Sequence, residues 1–183
     1  KTGMEIRRHD LSVKNFEPDG SFSGYASVFN TVDLHTEQVA PGAFTKSLQR
    51  WRSQQQMPKM LWQHDPKTPI GIWQDIREDG YGLLVKGKLL LDIQQGREAY
   101  TLLKSGVVDG LSIGYDVIKA QRQDQRRILQ EIELHEISLV TFAANPAARV
   151  TACKQAKVNP YNFGNLLKRL TSLEKIIYSE WAI

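Results

Sequence analysis

Apolar and polar residues alternate with a period of two through Phe22-Ser23-Gly24-Tyr25-Ala26-Ser27-Val28-Phe29, which predicts a strand. Residues 4–30 as a whole read as strand, turn, strand, with Pro18-Asp19-Gly20 supplying the turn chemistry. A polar loop over 30–42 ends in Pro41-Gly42, and a short helix is expected from Ala43 to Trp51. Met60 to His64 reads as a buried strand stopped by Asp65-Pro66. A further strand begins near Ile70, and 82–89 continues the β pattern after the Asp79-Gly80 turn. The clearest helix runs from about Ile93 to Ser105. Asp92 suits its N-cap, Lys104 its last turn and Gly106 the position just past its end. Leu111 to Ile118 reads as a strand, followed by a basic loop and a long strand from Ile128 to Phe142.

After Arg149 the pattern changes. Residues 151–163 are polar or turn-like, and Leu166, Leu167, Leu170, Leu173, Ile176 and Ile177 fall at helical spacing. The chain therefore divides into a body over 1–150 and a tail over 151–183 carrying an amphipathic helix. Many strands, few helices and few βαβ units predict a mainly β, α+β fold. The expected form is a largely antiparallel barrel with helices outside.

Composition narrows the class. With 183 residues, 41% hydrophobic and 24% charged, the chain is long enough for a real core and reads as an ordinary globular domain. No run of about 18 apolar residues predicts a membrane span. Met4 is read as the natural start, with Lys1 to Gly3 coming from an upstream frame and no apolar signal segment. Cys153 is the sole cysteine, so an internal disulfide is excluded and an incidental thiol is expected. The net charge of +4 raises nucleic-acid binding. The cations are scattered, however, and Lys119, Arg122, Arg126 and Arg127 read as the solvated tip of a hairpin.

The candidate chemistry centres on Gly110-Leu111-Ser112-Ile113-Gly114, a G-x-S-x-G frame. A nucleophile elbow would need a helix after the serine, and acid then histidine downstream. Tyr115 to Ile118 reads instead as strand, and His135 alone among the histidines follows Ser112. A serine hydroxyl still needs a base, and the base an orienting group. His64, at the end of an aromatic and apolar strand, is the candidate base; a structural histidine bonded to backbone is the alternative. The long strand offers Glu131, Glu133, His135 and Glu136 as third member. By alternation, Glu136 shares a mostly apolar face with Ile132, Leu134, Ser138 and Val140, and His135 shares the other with Ile137 and Leu139. A buried carboxylate there needs a cation or a donor. Asp33, His35 and Glu37 are spaced like metal ligands, but no H-E-x-x-H or cysteine cluster supports them, and no metal or cofactor is expected.

Taken together these residues resemble the prohead proteases of tailed bacteriophages, the family typified by phage HK97. The matching stretches are Gly24 to Asn30, Asp33, Pro41-Gly42-Ala43-Phe44, His64-Asp65, Pro69-Ile70-Gly71, Gly106, Gly110 to Tyr115, Glu136 to Phe142, Asn145-Pro146 and Ala148. Each is weak alone; their number and order carry the resemblance, over about residues 4–150. Ala143 or Ala144 stands where family members often have proline.

The resemblance implies a serine endopeptidase with a β-barrel of the herpesvirus assembly protease type. It would act inside the immature head in the bacterial cytoplasm, on scaffold or the scaffolding segment of the capsid protein, and on itself. It assigns Ser112 as nucleophile, His64 as base and Glu136 as the acidic third member, with His135 left open. The segment just past that strand, with Ala144, Asn145 and Arg149, is the candidate oxyanion hole. Self-association is expected, and the 151–183 tail would supply a contact or be removed by self-cleavage. Two rival readings remain: an inactive protease-like assembly protein and a basic nucleic-acid-binding barrel.

Overall fold

A computed structural model describes residues 18–152 of the chain. The strand expected within residues 4–17, Cys153 and the tail helix lie outside the described residues. The elements are β1 (Ser21–Val28), β2 (Glu37–Val39), α1 (Thr45–Ser53), β3 (Lys59–Trp62), β4 (Asp65–Glu78), β5 (Gly82–Leu89), α2 (Gln94–Lys104), β6 (Gly110–Gln123), β7 (Arg126–Val140) and β8 (Val150–Ala152). Most expected elements are present within a few residues of their anticipated limits. Four differ in substance. β4 begins at Asp65 rather than near Ile70, and the basic stretch expected as a loop is largely strand, with β6 running on to Gln123 and β7 starting at Arg126. The polar 30–42 loop contains β2, and the N-cap of α2 is Ile93, without a side-chain cap bond, rather than Asp92.

Eight strands form one sheet in the order β2-β7-β3-β4-β5-β1-β8, with β6 paired to β7. β7 is its hub, antiparallel to β6 and parallel to both β3 and β2. The sheet is thus mixed, which corrects the mostly antiparallel barrel expected from sequence. Alternation marks strands, but it does not say which strands distant in sequence become parallel neighbours.

The sheet curls until its ends meet. Leu111 N–H donates to Ala148 C=O at 3.0 Å and Val150 N–H to Asp109 C=O at 3.0 Å. On the other side of the same segment Tyr25 N–H donates to Arg149 C=O, and β8 pairs with β1. Inside the curl Phe44, Met60, Ile70, Leu83, Leu89, Leu111, Leu134, Ile137 and Leu139 are fully buried. Each such side chain contributes about 1.5–3 kcal/mol of apolar transfer.

Helix α1 is pinned to β7. Ser47 Oγ accepts from Leu134 N–H at 2.9 Å, and Trp51 Nε1–H donates to Leu134 C=O at 2.8 Å. Glu78, at the end of β4, meets the start of α1: its carboxylate accepts from Phe44 N–H and Thr45 Oγ–H. An acid at this end also complements the helix dipole. These bonds fix β7, and β7 carries the candidate site.

Candidate active site

One inserted residue decides which side chains of β7 face the site. Gly114 pairs with Glu136 but Tyr115 pairs with Leu134, so His135 is the extra residue of a β-bulge. Before the bulge the core residues are Ile132 and Leu134; after it they are Ile137 and Leu139. The core face switches from even to odd positions. Glu136, Ser138 and Val140 therefore share the opposite face, where Val140 joins Ala143 and Ala148 in a small separate cluster. This corrects the face assignment from simple alternation, which grouped Glu136 with Ile132 and Leu134, and His135 with Ile137 and Leu139.

The base candidate is held by a turn rather than a strand end. Trp62 pairs with Asp65, leaving Gln63 and His64 as a two-residue hairpin loop with φ of +52° and +61°. Positive φ at both loop positions is the I′ arrangement, usually taken by Asn and Gly. Here each residue costs on the order of 1–3 kcal/mol in backbone strain. Contacts to β7 offset that cost. Gln63 N–H donates to Leu139 C=O at 2.9 Å, and its carboxamide exchanges two bonds with Thr141. His64 N–H donates to Ser138 Oγ at 3.2 Å. Because β3 runs parallel to β7 with Trp62 beside Leu139, the turn lands over residues 138–141.

Ser112 stands on β6 directly opposite Ser138. The glycines of its G-x-S-x-G frame make room for β7. A Cβ on Gly114 would lie 2.3 Å from Glu136 Oε1, and one on Gly110 would lie 2.8 Å from Val140 C=O. The space at Gly114 is filled by the Glu136 carboxylate.

Three side chains consequently line up. Glu136 Oε1 lies 2.5 Å from His64 Nδ1, and His64 Nε2 lies 2.9 Å from Ser112 Oγ. A carboxylate only accepts, so Nδ1 carries the proton and Nε2 is left to accept from the serine hydroxyl. Glu136 is largely buried, with a side chain 13% exposed, whereas the His64 side chain is 44% exposed. The Glu136 hydrogen bond and charge raise the His64 pKa above its ordinary value, outweighing the opposing effect of burial. Such an arrangement can draw the proton from a serine hydroxyl and hold the resulting imidazolium.

The remaining candidates separate clearly. His135 sits on the bulge, bonded through Nε2 to Asp116 at 2.8 Å, and does not meet His64. Ala144 and Asn145 line a cleft of about 440 Å³ that opens beside Ser112. The Asn145 carboxamide is engaged by Val28 C=O and Ala147 N–H. The Arg149 guanidinium is bonded to Asp109 at 2.5 Å and to Pro146 C=O, and Arg149 is not among the residues lining that cleft. Asp33 and Glu37 line the cleft, where Asp33 Oδ1 and both Glu37 carboxylate oxygens are hydrogen-bonded. Asp33 Oδ1 accepts from His35 and Glu37 N–H, and Glu37 bonds Tyr115 and Arg127 at 2.7 Å each. Burial and then the Glu37 bond push the Tyr115 phenol upward. Leu34, 71% exposed, and Phe142, 88% exposed, flank the opening.

Sequence reasoning missed Ser138. It is fully buried, donates to Glu136 Oε2 at 2.6 Å and accepts from His64 N–H. The available signal was a hydroxyl two positions beyond a buried carboxylate on one strand face.

With this geometry in view, residues 7–162 match the family described as caudovirus prohead serine protease. A prohead protease of Enterobacteria phage HK97 is 35% identical over 139 residues, which is 74% of this chain. The chain spans 60% of the length of that curated relative. The bacteriophage T4 capsid assembly protease is similar in fold, with a TM-score of 0.56 and 13% identity, over 66% of this chain and 80% of that one. KSHV protease, solved in complex with a hexapeptide phosphonate inhibitor, has a TM-score of 0.50 and 11% identity, over 83% of this chain and 76% of that one. These two likenesses bear on the fold: a curled β structure of herpesvirus-protease kind.

Proposed function

Since this chain belongs to the caudovirus prohead serine protease family, we propose that it is a serine endopeptidase of capsid maturation. Ser112 is the nucleophile, His64 the general base and Glu136 the residue that orients His64 and stabilises its cation. The observation that carries this reading is the unbroken chain from Glu136 through His64 to Ser112 Oγ. Ser112 Oγ attacks the scissile carbonyl as His64 Nε2 takes its proton. The tetrahedral intermediate collapses to an acyl-enzyme, His64 returns the proton to the leaving amine, and water repeats the cycle.

The oxyanion is assigned to backbone N–H groups at Ala144 or Asn145, which line the cleft. Arg149 is the weaker candidate because its guanidinium is already bonded to Asp109 and Pro146. Removing one such donor typically costs about 2.7–4 kcal/mol of transition-state stabilisation. The substrates are scaffold, or the scaffolding segment of the capsid protein, and the protease itself, within the assembling prohead. The names of the HK97 and T4 relatives support that setting. Residues 1–150 are read as the protease unit. Residues 151–183 are read as a tail that either supports self-association or is removed by self-cleavage.

Co-expression with the capsid protein of the same phage tests the reading. Mass spectrometry should find capsid protein shortened by the wild type and intact beside Ser112→Ala, whose fold circular dichroism should show unchanged. Equal processing by the two would overturn it. An inactive assembly protein would give no shortened product with either.

A further inference from the structure

Two leftover groups of the Glu136 and His64 pair converge on one hydroxyl. In an I′ loop, the closing bond of the hairpin belongs to the flanking residues, so the second loop residue's N–H needs a partner elsewhere. That residue is His64, and its N–H donates to Ser138 Oγ at 3.2 Å. Glu136 uses Oε1 on the imidazole, so Oε2 needs its own donor; Ser138 Oγ–H supplies it at 2.6 Å. A serine hydroxyl has one proton to give and lone pairs to accept with, so both bonds form at once. Ser138 is fully buried, and solvent is therefore excluded from replacing either bond.

We infer that Ser138 is a positioning residue that locks the acid and the base to each other. Its donated bond fixes the rotation of the Glu136 carboxylate, and its accepted bond fixes the strained turn that carries the imidazole. Glu136 lies on β7 and His64 in the turn between β3 and β4, and Ser138 is where their positions are tied. This inference rests on the proposed protease reading for its consequence in catalysis; the coupling itself is a matter of geometry.

The test uses the full chain with Ser138→Ala, Ser138→Thr and Ser138→Cys. One readout is the rate at which a peptidyl phosphonate labels Ser112. The other is the far-downfield proton resonance of the His64 Nδ1–H to Glu136 bond, recorded also in Ser112→Ala. Loss of a buried hydrogen bond to a charged group should slow labelling by roughly 10- to 100-fold in Ser138→Ala. The resonance should be lost or broadened, with the folded state retained by circular dichroism. Ser138→Thr, which keeps the hydroxyl, should restore both. Ser138→Cys keeps bulk but is a weak donor, so it should fall near alanine; if the added methyl of threonine unfolds the chain, the cysteine and alanine pair decides. A wild-type rate and resonance in Ser138→Ala, or wild-type behaviour of Ser138→Cys, would overturn the inference and leave a packing role. Failure of the wild type to react with phosphonate would sink the protease reading instead, and the resonance would still decide on Ser138.

Discussion

The two ends of the β6–β7 hairpin are made from the same ladder and do opposite things. At the inner end, Gly110 to Gly114 lies against Glu136 to Val140, with β3 on the far side of β7 and the main core beneath. At the outer end, Lys119 to Gln123 and Arg126-Arg127 are exposed around a tip where Asp124 takes a positive φ of 56°. The inner end alternates small residues with a largely buried carboxylate, so side chains from β6, β7 and the β3–β4 turn share one space. The outer end carries long charged side chains that reach water, and its anchor is Arg127 on Glu37. The difference lies in what a strand leaves room for. Gly114 is informative because of the volume it does not occupy.

Removing the acid should have the largest effect. Glu136→Gln leaves the shape but supplies a donor or a neutral acceptor where His64 needs a carboxylate. Loss of the equivalent acid in serine proteases costs about 10⁴-fold in turnover, and a similar fall is expected here. Its pH profile should change too. As the proposed base His64 must be neutral, and its pKa is raised chiefly by the Glu136 bond. Activity of the wild type should therefore fall as pH drops through a value above the ordinary histidine range of about 6.5. In Glu136→Gln the residual activity should lose that shift, with the acidic limb moving downward. The same linkage stabilises the fold. The charged His64 contributes fully below about pH 6.5 and its contribution disappears as pH rises through the folded value. Solvent screening keeps this contribution small. A thermal melt series against pH, wild type beside Glu136→Gln, reads it.

Next in size is the glycine. A methyl at Gly114 collides with the end of Glu136, and a carboxylate displaced by about 1 Å costs on the order of 10²-fold in rate. Overpacking should add about 1–3 kcal/mol of destabilisation in a denaturant melt. Ala120→Gly, on the outer part of the same strand, makes the reverse exchange. It should cost only about 0.5–1 kcal/mol and leave phosphonate labelling unchanged. Equal kinetic losses in the two variants would erase the distinction between the ends.

The smallest effect is expected from the outer charges. Changing Lys119, Arg122 and Arg126 to Gln should each move stability by less than about 0.5 kcal/mol, with cleavage of a short peptide unaltered. A loss of peptide cleavage comparable to that of Gly114→Ala would show that the outer end serves the site.

What the sequence disclosed follows from the same physics. Ser112, His64 and Glu136 are polar residues in apolar or glycine-bounded settings, which made them candidates beside Glu131, Glu133 and His135; the resemblance to the phage proteases is what picked out the three. The helices and most strands were legible because periodicity is local. The bulge at His135 was not, since one inserted residue leaves no mark in composition, and with it went the face assignment of β7. Nor was the turn at Gln63-His64, because those residues are not the usual occupants of positive φ and are held there by Thr141, Leu139 and Ser138, far along the chain. The parallel neighbours of β7 were hidden for a related reason: their pairing is set by the closure of the whole sheet.

The central claim is that Glu136 and His64 together make the Ser112 hydroxyl a nucleophile. Peptide mapping after treatment with a peptidyl phosphonate tests it most directly. The wild type should carry the adduct on Ser112 alone, and His64→Ala should carry none under the same conditions while remaining folded. Labelling of another serine, or equal labelling of Ser112 in His64→Ala, would contradict the account.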